Sequence, residues 1–172
     1  MKNNNIIYYL YNMTMLVTNY LIEKLNNTPQ QNGREFELII HNLLLQTKCN
    51  VYSERDIRRR YSHITGIDHI LEYNNLMFCF QDKWLKYNIS NKDINHFNAG
   101  IQDLKNIHQN YHFIAIYLSR TPLSKEAKKI AYQYNIILIN SFDMNIIIQK
   151  LMEFLYNFTI YCYDSENDII MI

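Results

Sequence analysis

The chain has little of what usually makes turns. Its 172 residues include three glycines and two prolines, so tight turns fall to Asn, Asp and Ser, whose side chains hydrogen-bond local backbone. The three cysteines, Cys49, Cys79 and Cys162, are far apart and lack CxxC spacing. That argues against a disulfide framework or a zinc site. It favours core thiols in an intracellular, reducing compartment. The six histidines form no HExxH motif and no His/Cys cluster. Formal net charge is +1. A strongly basic nucleic-acid binder is therefore not indicated, and any phosphate-binding surface has to be a local patch.

A long uninterrupted apolar run is also missing. The stretch from Ile6 to Leu25 is broken by Asn12, Thr14, Thr18, Asn19 and Glu23, whereas a spanning helix needs roughly 20 mostly apolar residues. Lys2 is the single early positive charge, and no small-residue cleavage site follows. The expectation is an amphipathic helix that packs on the domain or on a partner, without membrane insertion.

What is present points to a folded protein. Apolar residues make up 48% and charged residues 19%, a globular rather than a disordered balance. The length suits one core-bearing domain with an extension. Asn, Ile, Lys and Tyr are abundant, and their codons are rich in A and T. The fifteen tyrosines therefore read as genome composition, of an organelle, a virus or a bacterium, rather than as a stacking surface.

The pattern divides the chain into an N-terminal helical extension and linker (1–32), a domain (33–156) and a C-terminal tail (157–172). A helix from about Gly33 to Lys48 carries an apolar stripe of Phe36, Ile39, Ile40, Leu43 and Leu44. A short strand is expected from Cys49 to Ser53, then a charged loop from Glu54 to Thr65. Helices follow at Ser90–His108, from a Ser124 cap to about Tyr134, and at Asp143–Tyr156. Strands are expected at Tyr111–Leu118 and Ile136–Ile139. Strand–helix–strand order after residue 110 predicts parallel pairing with right-handed crossovers. With an antiparallel hairpin before it, the fold class is α/β, a mixed sheet with helices on both faces.

That hairpin is the most informative feature. Gly66-Ile67-Asp68-His69-Ile70-Leu71 and Phe80-Gln81-Asp82-Lys83-Trp84 read as two strands joined through Tyr73-Asn74-Asn75. Alternation puts Gln81 and Lys83 on one face, with Phe80 and Asp82 on the other. Asp68 then lies beside Gln81 and Lys83. A carboxylate, an amide oxygen and an ammonium at one spot suit a divalent metal and a polarised water. Glu37 and Glu35, at the margins of the first helix's apolar stripe, offer a second acid. Asp82 and His69 read as structural, and Trp84 as core. Arg55, Arg58, Arg59 and Arg60 form either a phosphate clamp or a solvated loop. Lys125, Lys128 and Lys129 fit an exposed helical face equally well.

These pieces resemble the Mrr-type branch of the PD-(D/E)xK restriction endonuclease superfamily. The resemblance rests on Phe36-Glu37, Gly66-Ile67-Asp68, Gln81-Asp82-Lys83-Trp84 and the segment from Ile114 to Ile139, and it covers roughly Gly33 to Leu155. It implies a restriction-endonuclease-like mixed β-sheet flanked by helices. It also implies a DNA endonuclease that uses Mg²⁺ or Mn²⁺. Glu37, Asp68, Gln81 and Lys83 would be catalytic, with Asp68, Gln81 and Glu37 on the metal and Arg55, Arg58, Arg59 and Arg60 on nucleic acid. A homodimer that cuts both strands would be in keeping with the family. Two features depart from its pattern: the Gly-rich run before the acid is reduced to Thr65-Gly66, and a neutral Gln81 stands where an acid would bind metal better. They leave room for a catalytically inactive module that binds nucleic acid or serves assembly in a ribonucleoprotein or viral particle. A junction resolvase would share the same site.

Overall fold

The computed structural model describes residues 29–47 and 49–164. Its five strands are Asn50–Ser53 (β1), His69–Tyr73 (β2), Leu76–Lys83 (β3), His112–Ser119 (β4) and Ile136–Asn140 (β5). They form one sheet in the order β1-β2-β3-β4-β5. The first three are antiparallel neighbours, while β4 and β5 add in parallel. The helices among the described residues are Pro29–Leu44 (α1), Glu54–Arg60 (α2), Asn91–Ile107 (α3), Lys125–Gln133 (α4) and Met144–Asp164 (α5). None of them is long and apolar enough to cross a membrane.

The residues that replace glycine in the turns are asparagines. Asn74, between β2 and β3, has φ 52°, and Asn135, at the end of α4, has φ 55°. Both lie in the left-handed region that Asn tolerates better than most side chains. Serines start three helices. Ser53 accepts from Asp56 N–H while Asp56 returns a bond to the Ser53 backbone, and Asp93 accepts from the Ser90 N–H at 2.9 Å. Ser124 Oγ accepts from Ala127 N–H at 3.1 Å. Each satisfies an amide that the first helical turn leaves open.

Strand β3 is buried along nearly all its length, because helices cover both faces. Met77, Cys79 and Tyr117 face a core shared with Ile57 of α2, Phe97 and Leu104 of α3, and Ala127 of α4. Phe78, Phe80 and Leu118 face Phe36 and Ile40 of α1 and Ile147 and Leu151 of α5. Full burial of a side chain such as Phe80 stabilises the fold by about 1.5–3 kcal/mol. Close approach of α3 requires Gly100, where a Cβ would stand 2.2 Å from the Thr65 carbonyl oxygen. That contact fixes the segment leading into the hairpin.

Three expected boundaries differ. Helix α1 starts at Pro29, inside the expected linker; proline suits a first helical turn because its missing N–H has no partner to lose. The charged stretch after Ser53 is not wholly loop, since its arginines lie on α2, nucleated by the Ser53–Asp56 capping box. Helix α5 runs to Asp164, past the expected end at Tyr156 and into the tail, where the sequence has no breaker. Most of the expected N-terminal extension, and the tail beyond residue 164, lie outside the described residues.

Candidate functional site

Asp68 immediately precedes β2 and extends its pairing by one step: its N–H donates to the Phe80 carbonyl at 2.9 Å. This sets its side chain beside the following residues of β3. Gln81 Nε2 donates to Asp68 Oδ2, and the Asp82 backbone N–H donates to the same oxygen at 2.7 Å. Asp68 is 8% exposed and Gln81 2%. Burial, then the nearby Asp82 charge, raises the Asp68 carboxyl to about 7, against smaller lowering effects from the Asp82 N–H and from Lys83. Lys83 alternates onto the face of Gln81 and is half-buried. Among the described residues it has no ion pair within 4 Å, and its charge acts on both Asp68 and Glu37.

The other face of the same strands carries a second polar group. His69 Nε2 lies 2.8 Å from Asp82 Oδ2, with both side chains almost fully buried. The His41 ring stacks on His69 with centroids 5.3 Å apart. Glu37, one turn before His41 on α1, is raised first by burial and then by Asp82. Burial alone disfavours a charged His69, but the carboxylates around it, Asp82 foremost, leave its pKa raised.

The structure thus brings Asp68 and Gln81 into contact and puts Lys83 on their face. It places Glu37 among Asp82, Lys83 and His69, at the α1 side of the sheet. Sequence reasoning read His69 and Asp82 as separate structural residues and did not pair them or add His41. The available signal was two ionisable residues at inward positions of an otherwise apolar hairpin.

The four arginines are all exposed, but two are engaged. Arg58 pairs with Glu54 at 2.6 Å, and the Arg60 guanidinium lies 4.2 Å from the Tyr52 ring centroid. Arg55 and Arg59 have no ion pair within 4 Å among the described residues. Beside Arg60 lies a cavity of about 80 Å³, lined in part by Tyr52, Tyr61, Glu72 and His108. Its polar atoms satisfy one another: Glu72 accepts from Tyr52 at 2.9 Å and from Tyr111, and Tyr61 Oη meets His108 Nε2 at 2.6 Å. Glu72 is four residues beyond Asp68, so this cavity sits at the hairpin-turn end of β2, away from the acid.

Among the described residues, no three His, Cys, Asp or Glu side chains are placed to hold a metal ion. A Mg²⁺ ion needs fewer, since it takes one or two carboxylates and keeps several waters. Asp68 supplies a hard oxygen in a buried position whose raised pKa a cation would reverse. With its nitrogen on Asp68, the Gln81 amide has its carbonyl oxygen as the remaining donor. Asp68 and Gln81 are the residues that would hold such an ion.

No family model matches the chain, and no curated protein matches it. One solved structure, described as a protein of unknown function, AF1548, is similar at 16% identity and a TM-score of 0.45. The match covers 62% of this chain and 56% of that one.

Proposed function

We propose that this chain is a Mg²⁺-dependent endonuclease of Mrr type that hydrolyses phosphodiester bonds in DNA. The observation that carries the reading is the contact of Asp68 with Gln81 at the open end of the hairpin, with Lys83 on the same face. Asp68 and Gln81 would hold Mg²⁺ or Mn²⁺, which lowers the pKa of a bound water and neutralises phosphoryl charge. The Gln81 amide and the Asp82 N–H fix the Asp68 carboxylate in one orientation. Lys83 orients the attacking water and offsets the negative charge that develops on the phosphoryl oxygens. Glu37, whose charge bears on Asp68 as well as on Lys83, would assist Asp68 and Gln81 in holding the metal. Arg55 and Arg59, without an ion pair among the described residues, are the arginines of α2 left to meet flanking phosphates.

The test is incubation of plasmid and branched DNA with Mg²⁺ or Mn²⁺, beside Asp68→Ala and Lys83→Ala. Cleavage should fall by about 10²–10³ in each variant, the size of effect seen when a charge-stabilising group is removed. The second reading, a nuclease-fold module that binds nucleic acid without cutting it, is favoured by one observation: Asp68 Oδ2 already accepts two hydrogen bonds. Tight DNA binding with no cleavage, unchanged in both variants, decides for it.

A further inference from the structure

Arg120 follows directly on β4, and its backbone N–H donates to the Lys83 carbonyl at 3.0 Å. The bond carries the β3–β4 ladder one step past the Lys83–Ser119 pair. Arg120 therefore sits beside Lys83 at the carboxyl ends of two parallel strands, where open α/β sheets usually bind ligands. Its guanidinium carbon lies 5.2 Å from the Trp84 ring centroid. Trp84 rests in turn on Phe36 at 5.0 Å, and Phe36 is fully buried in α1. The stack holds the guanidinium on a platform anchored in the core, and stacking leaves its in-plane donors available.

Among the described residues no carboxylate lies within 4 Å of Arg120, and its Nε is buried without an acceptor. Arg58, by contrast, is neutralised by Glu54. A guanidinium oriented on Trp84, with no ion pair among the described residues, is matched by an anion with several oxygens. A backbone phosphate meets it with two parallel hydrogen bonds.

We propose that Arg120, held on Trp84, binds a backbone phosphate of the nucleic acid next to the Asp68–Gln81–Lys83 end of the sheet. The proposal rests on the reading of the chain as nucleic-acid-binding, but not on cleavage. Its test is DNA affinity by fluorescence anisotropy in EDTA over a salt series. Wild type is compared with Arg120→Met, Arg120→Lys and the control Lys150→Met, an exposed site on α5. Arg120→Met should weaken binding about tenfold and reduce the slope of log affinity against log salt by about 0.9, one phosphate contact. Arg120→Lys should keep the slope. Lys150→Met should change neither. Should Arg120→Met not fold, Arg120→Gln reads the same slope. Equal slopes for wild type and the Met or Gln variant overturn the Arg120 site while leaving the nuclease reading intact. Absence of DNA binding by wild type overturns both.

Discussion

Asp82 grips Asp68 through its backbone while its own carboxylate points to the other side of the sheet. The Asp82 N–H donates to Asp68 Oδ2 at 2.7 Å, and Asp82 Oδ2 lies 2.8 Å from His69 Nε2. Consecutive residues 68 and 69 are thus fastened to residue 82 from both faces. The buried ion pair on one side braces the carboxylate on the other.

Removing one member of that brace should be costly. Asp82→Ala leaves His69 buried without its partner, and breaking such a pair destabilises by about 3–5 kcal/mol. The double variant His69→Leu/Asp82→Val should recover most of the loss, because apolar replacement of a buried pair is often neutral. Urea unfolding of His69→Leu, Asp82→Val and the double measures the coupling. Purely additive losses would contradict the brace.

The raised Asp68 carboxyl gives a signed pH dependence. Its folded pKa of about 7 stands above the ordinary 3.8, so the native state holds the proton more tightly than the unfolded chain. The stabilisation is full below about pH 3.8 and is lost as pH rises through about 7. In EDTA, Asp68→Asn should therefore show a flatter stability profile between pH 4 and 7.5 than wild type. His69, also raised, owes part of its shift to Asp68, so the difference between the two curves reports Asp68 together with its effect on His69. Thermal midpoints across the range provide the check, and parallel curves would rule the idea out.

Two glycines should respond in opposite directions. At Gly100 a methyl group would meet the Thr65 carbonyl oxygen at 2.2 Å. Alanine there should cost about 1–3 kcal/mol as α3 is forced off the segment before Asp68. At Gly33, inside α1, a Cβ meets nothing within 4 Å. Alanine there should stabilise by roughly 0.5–1 kcal/mol through helix propensity. Chemical denaturation of both variants tests the contrast.

Cysteine labelling should separate the two described thiols. Burial pushes the Cys79 thiol up to about 12, and it is fully shielded from solvent. Cys49 is half-buried and should react first. Iodoacetamide at pH 8 followed by peptide mass spectrometry should find Cys79 unmodified until the protein is unfolded. Equal labelling of both in the folded protein would refute this burial.

The hairpin was legible because strand alternation assigns faces without tertiary information. Gln81 and Lys83 fell on one side and Asp82 on the other, as the residue spacing required. The Ser124 cap was legible for a similarly local reason. The His69–Asp82–His41 group was not, since periodicity can place His69 and Asp82 on a face but does not say which helix covers it. Helix α2 was missed because a run of arginines outweighed a local signal, the Ser53–Asp56 capping box. Glu37 was correctly set at the margin of a buried stripe, yet only the packing of α1 decides that its strongest charged neighbour is Asp82. Arg120 gave no motif at all. Its place follows from the β3–β4 register, which a sequence read one strand at a time does not supply.

Every strand of the sheet lies beside its predecessor in the chain. No strand has to be threaded between two that already exist. A ribosome that releases the amino end first offers β1, β2 and β3 as a complete meander before β4 has been made. Asp68 and Gln81 can meet in that antiparallel half. The parallel half must wait for its crossover helices and pays the slower closure of longer loops. Arg120, seated on Trp84, arrives only with that second half, so the acid end of the sheet is in place before its basic neighbour.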